Sequence, residues 1–163
     1  MHFNECLDSP PSELELQALL KTTDELTLVL KGHLLIEHVL SLLTEQRIGA
    51  GARDAWELGF ARKTAFAIER GVVPPDELEM LRAVNRLRNR FAHQPRSYIA
   101  SEDADQLWRT LSGRIRERVS RVGEEPAGFD TDADFFRCVV LAICTVYTED
   151  FFRHAPPESE RSA

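Results

Sequence analysis

The chain is predicted to be an all-α helical bundle of about five helices, and three features of its 163 residues carry that expectation. Apolar residues recur at spacings near three, four and seven through each long segment, the period of a helix with a buried face. No stretch of useful length alternates apolar and polar residues as a half-buried strand would. Turn-forming residues, namely Gly49-Ala50-Gly51, Gly71, Pro74-Pro75, Pro95, Gly123 and Gly128, fall at the ends of the periodic segments.

Residues 1–11 read as an irregular leader ending at Pro10-Pro11. Ser12 followed by Glu15 has the form of a capping box and opens a long helix over about 12–46. Thr22, Thr23 and Gly32 are the points where that helix is weakest. A second helix spans 54–70, with Trp56, Phe60 and Phe66 among its apolar residues and Gly71 as its C-terminal cap. Pro74-Pro75-Asp76-Glu77 starts a third, because proline suits the first turn and acids suit the positive end of the helix dipole. It runs over 75–93 and stops before Pro95. A fourth spans about 102–122. The fifth, about 131–153, is apolar nearly all round, so it is expected to be the bundle centre or an interface helix. A polar tail, 155–163, follows.

Length and composition place residues 12–154 in a single domain. The chain is 43% hydrophobic and 29% charged, a globular balance without fibrous or low-complexity character. No run of 18 apolar residues suggests a membrane span, and the acidic leader lacks the basic-then-apolar pattern of a secretion signal. Three cysteines, Cys6, Cys138 and Cys144, lack CxxC spacing and point to a reducing, cytoplasmic setting. Cys138 and Cys144 read as core residues on different faces of one helix. The net charge of −7 makes the whole chain a poor nonspecific ligand for nucleic acid. Residues 82–121 nevertheless carry ten Arg against four acids. That strip suits bidentate phosphate contacts, with Arg116 among the expected RNA contacts.

The third predicted helix holds the one informative motif, Arg88-Asn89-Arg90-Phe91-Ala92-His93. Val84, Leu87 and Phe91 form its buried stripe. Asn89 and His93 are neighbours on another face, flanked by Arg86 and Arg90, while Arg88 sits roughly 140° around from His93. A titratable imidazole thus stands among guanidiniums, which favour the neutral form that a general base requires.

This stretch resembles the R-N-x-x-x-H signature of HEPN domains (higher eukaryote and prokaryote nucleotide-binding). Together with Leu35-Ile36-Glu37, Lys63-Thr64-Ala65-Phe66-Ala67 and Gly71-Val72-Val73, it resembles the mannitol-operon-repressor-like branch over about residues 15–150. The resemblance implies a homodimer with the motif helices facing each other and, in the nuclease members, a metal-independent endoribonuclease site. On this chain His93 would be the base or acid, Arg88 would stabilise charge on the phosphorane, and Asn89 would orient the imidazole. Arg86, Arg90 and Glu37 would support phosphate binding or the arginines. The alternative is a non-catalytic dimeric regulator that binds a protein partner or small anion. Toxin members carry a tyrosine two residues after the histidine, where this chain has Pro95.

Other patterns are weaker. His33 and Glu37, at i and i+4, have metal-ligand spacing but no third partner. No metal or other cofactor is expected, and no P-loop, dinucleotide fingerprint, GxSxG elbow or DNA-reading helix-turn-helix is present.

Overall fold

The computed structural model describes residues 9–49, 57–94 and 97–154. The tail at 155–163, the leader up to residue 8, Cys6, Ala50-Gly51, the onset of the second predicted helix with Trp56, and Pro95 lie outside the described residues. Among those described, 75% are helical and there is no strand. The bundle has seven helices there rather than about five, because two of the predicted helices are each divided.

The first division separates α1 (Glu13–Leu19) from α2 (Glu25–Ile48). The expected capping box opens α1: Ser12 Oγ accepts from the Glu15 N–H, and the Glu15 carboxylate accepts from the Ser12 N–H at 2.7 Å. Breakage falls at the threonine pair. Thr22 Oγ1 accepts from the Asp24 N–H at 3.2 Å, and Asp24 then caps α2 by accepting from the Thr27 N–H at 2.8 Å. Such short side-chain bonds offer the backbone an alternative to the helix ladder. Arg137, more than a hundred residues later, donates to the carbonyls of Leu20 and Thr22 and stabilises the break from outside.

Gly32, the other weak point, does not interrupt α2. A Cβ there would lie 2.9 Å from Val140 Cγ2 and 3.2 Å from Phe136 Cε1 of α7 (Asp132–Arg153). Glycine here allows close approach of two helices. Gly32→Leu is therefore expected to lower stability by about 1–3 kcal/mol through overpacking, although it removes a helix-interior glycine that itself costs about 1 kcal/mol. Urea denaturation would show a lower midpoint, and an unchanged or higher one would contradict the close packing.

Next come α3 (Phe60–Glu69) and a 3-10 turn at Pro75–Glu77 leading into α4 (Leu78–His93). Gly71 ends α3 with φ of 68°, the left-handed conformation expected of its cap. The second division separates α5 (Ser101–Thr110) from α6 (Gly113–Ser120), with Leu111 and Ser112 extended between them. A buried network accounts for it. Glu77 is fully buried and accepts from Ser112 Oγ, Tyr147 OH and the Arg114 guanidinium, which also reaches Asp150 at 2.6 Å. A continuous helix would carry Ser112 and Arg114 away from that carboxylate.

The final helix, α7, is capped by Thr131, whose hydroxyl accepts from the Asp134 N–H at 3.0 Å. It packs against α1, α2, α5 and α6. Its all-round apolar surface is used inside the chain, so it is the bundle centre. By length and composition alone, α2 is apolar enough to cross a membrane, but 56% of that stretch is buried within the bundle.

Candidate functional site

Helix α4 divides its faces as its sequence dictates. Val84, Leu87 and Phe91 are buried in the core, joined by Met80, Leu81 and Ala83. Arg82, Arg86, Asn89 and His93 are exposed on the other side. The helix ends where the Gln94 N–H donates to the Arg90 carbonyl at 2.8 Å. Arg88 Nη1 donates to Asn89 Oδ1 at 3.0 Å, and His93 follows Asn89 by one turn on the exposed face. Arg88 itself is half-buried and turned toward α2, where its charge is one of the influences that lower the pKa of His33. The structure thus joins Arg88 to Asn89 and Asn89 to the face of His93.

Two of the supporting residues are engaged elsewhere. Arg90 holds both carboxylate oxygens of Asp103, at 2.7 and 2.6 Å, and donates to the Tyr98 carbonyl at 3.0 Å. Its pKa is raised, chiefly by the hydrogen bonds to Asp103. Burial opposes the charge on Asp103, but Arg90 and the Ala100 N–H outweigh it and hold that carboxyl below its usual value. Arg90 is therefore a tie between α4 and α5 rather than an open phosphate contact. Glu37 accepts from Lys63 at 2.8 Å instead of reaching the motif arginines. Arg86 has no polar partner among the described residues and lines a groove of about 190 Å³ with Arg90, Asp103 and Gln106.

Most of the arginine-rich strip is likewise paired internally. Arg114 joins Glu77 and Asp150, Arg118 joins Glu149, and Arg121 joins Glu117. Arg116, expected to contact RNA, instead donates to the Trp108 carbonyl at 2.8 Å and lies over the Trp108 ring, closing the end of α5. The local charge count overstates the free positive charge, because Glu77, Glu79, Glu149 and Asp150, which neutralise part of it, lie outside the strip.

Behind Arg88 lies a polar cluster that sequence reading missed. His33 is buried against the Phe60 ring, and its Nε2 is 3.1 Å from Asn85 Oδ1. Its Nδ1 is 3.9 Å from Glu37 and has no hydrogen-bond partner. The i, i+4 spacing of His33 and Glu37 was the visible signal; Asn85 and Lys63 join through tertiary contact only. No group of three metal-ligating side chains occurs among the described residues.

Burial lowers the pKa of His33, against the opposing influence of Asn85 and Glu37. The unfolded chain therefore takes up a proton on this histidine at a higher pH than the folded chain does. Its contribution to stability is complete above the unfolded value of about 6.5 and diminishes as the pH falls below it. The midpoint of thermal unfolding is expected to drop between pH 7 and 5, with a smaller drop in His33→Asn. Equal pH slopes for the two proteins would remove His33 as the cause. His38, whose pKa burial also lowers, supplies part of the remaining slope.

Burial pushes the thiols of Cys138 and Cys144 up to about 11 and about 12; Cys144 is the core residue expected, whereas Cys138 is only partly buried against the core. Neither is a ready nucleophile. No protein-family model, curated protein or solved structure matches the chain.

Proposed function

We propose that this is a HEPN-like protein of the mannitol-operon-repressor-like branch, with a metal-independent RNA-cleaving or RNA-binding site at Arg88, Asn89 and His93. The observation that supports it best is the contact of Arg88 with Asn89, one turn before a solvent-facing His93. In the cleavage step His93 takes the proton of an RNA 2′-hydroxyl, whose oxygen attacks the adjacent phosphorus. The phosphorus–5′-oxygen bond breaks, that oxygen takes a proton from water, and the product ends in a 2′,3′-cyclic phosphate. Arg88 stabilises charge on the phosphorane, and Asn89 orients the imidazole.

The reading includes a homodimer, in which the roughly 140° between Arg88 and His93 on one helix is resolved by drawing part of the site from each copy. Light scattering should then give twice the 18.5 kDa chain mass. A cytoplasmic setting belongs to the same reading. Cleavage of single-stranded RNA should persist in a chelator and yield cyclic ends. Absence of cleavage, or cleavage abolished by chelation, would overturn the nuclease reading.

One observation favours the alternative of a non-catalytic dimeric regulator. Asn89 Oδ1 accepts from Arg88 rather than from His93, so the arrangement serves an arginine-lined binding face as well as a proton-transfer site. RNA or a protein partner bound without cleavage would be the outcome of that reading.

A further inference from the structure

Immediately beyond His93 the chain builds a cavity of about 390 Å³, lined by Arg90, Gln94, Ser97, Tyr98 and Ala100. That volume falls within the roughly 300–1,000 Å³ range of small-ligand sites. Its outer wall is tied down along the backbone. The Tyr98 carbonyl accepts from Arg90, the Ile99 N–H donates to Glu25 at 2.6 Å, and the Ala100 N–H donates to Asp103 at 2.8 Å. The Ile99 side chain is buried, whereas the Tyr98 side chain between these anchors is 70% exposed. An aromatic residue is thus held at a fixed place with its ring left in solvent, an arrangement that contributes little to the core.

The cavity's chemistry matches that of a nucleobase. A planar ring accepts a base by stacking, whatever its sequence. The Gln94 amide carries both donor and acceptor groups for a base edge. Arg90 spends its N–H groups on Asp103 and the Tyr98 carbonyl, so it anchors the cavity wall, and its pairing cancels the nearby acid. The adjoining groove shares Arg90 and brings in Arg86, a cation without a partner among the described residues. On α4, Arg86 and His93 are seven residues apart and so only about 20° apart in direction. A strand laid from the Arg86 groove to the Tyr98 cavity runs past Arg90, which lines both.

We propose that this cavity receives the base of a nucleotide, stacked on Tyr98 and read by Gln94, with a phosphate toward Arg86. The proposal rests on the RNA reading for the strand that carries the base, and it names the contact that sets base preference beside His93.

The test is an NMR titration of the full chain with the four nucleoside 5′-monophosphates, alongside ribose 5-phosphate and inorganic phosphate. Saturable nucleotide binding is expected, with shifts in the Gln94, Ser97 and Ala100 amides. Tyr98→Ala should weaken it by about tenfold or more, while Tyr98→Phe, which keeps the ring, should bind nearly as wild type does. A thermal melt of each variant accompanies the titration, so that only folded proteins are compared. The proposal is overturned if ribose 5-phosphate or phosphate binds as well as the nucleotides, if folded Tyr98→Ala binds unchanged, or if no nucleotide saturates. Should RNA be cleaved in a His93-dependent way while nucleotides ignore Tyr98, the base cavity alone is wrong. Should nucleotides bind through Tyr98 while RNA is neither bound nor cleaved, the RNA reading alone is wrong.

Discussion

His93→Ala is expected to slow cleavage of single-stranded RNA by about 10²–10⁴-fold, the usual contribution of a positioned general base. The side chain is exposed at the last turn of α4, so its removal leaves the core intact and the melting temperature nearly unchanged. Arg88→Ala should slow cleavage by a comparable factor through loss of charge stabilisation on the phosphorane. Its effect on folding should be larger, because Arg88 is half-buried beside Asn89 and the His33 cluster. Arg116→Ala is expected to act on stability rather than on RNA, since that side chain closes α5 through the Trp108 carbonyl. Rates are compared with protein freed of contaminating ribonuclease. Equal cleavage by wild type and His93→Ala would sink the nuclease reading.

Arg114→Ala should be among the most destabilising single changes. It leaves the fully buried Glu77 carboxylate without its counter-charge, with only Tyr147 and Ser112 donating to it. Removing one partner of a buried pair typically costs 3–5 kcal/mol. Arg114 is a third exposed, and water entering its place will screen part of that, so about 3 kcal/mol is expected. For a chain of this length this corresponds to roughly 6–12 °C in melting temperature. Adding Glu77→Gln to Arg114→Ala should recover part of the loss, since it removes the unpaired charge itself. A double variant less stable than Arg114→Ala would show that the network acts through shape and not through charge.

Much of the helical framework was legible because its causes are local. The capping box at Ser12 and Glu15, the glycine cap at Gly71, the proline start of α4 and the buried stripe Val84, Leu87 and Phe91 each depend on residues within a turn or two of one another. The order Arg88, Asn89, His93 on one helix was legible for the same reason, since helical spacing alone places them.

The divisions of two helices and the allocation of charge were decided elsewhere. Arg137 completes the break after α1 from α7, and Glu77 draws Ser112 and Arg114 out of a continuous helix. Arg90, read locally as a phosphate contact, meets Asp103 across a turn, and Glu37 meets Lys63 on another helix. By itself the sequence determined which segments are helical and which face of each is apolar, because periodicity and capping are properties of neighbouring residues. Only the tertiary structure decided which helix lies at the centre, which arginines remain free and which polar groups are buried, because long side chains choose partners by proximity in space.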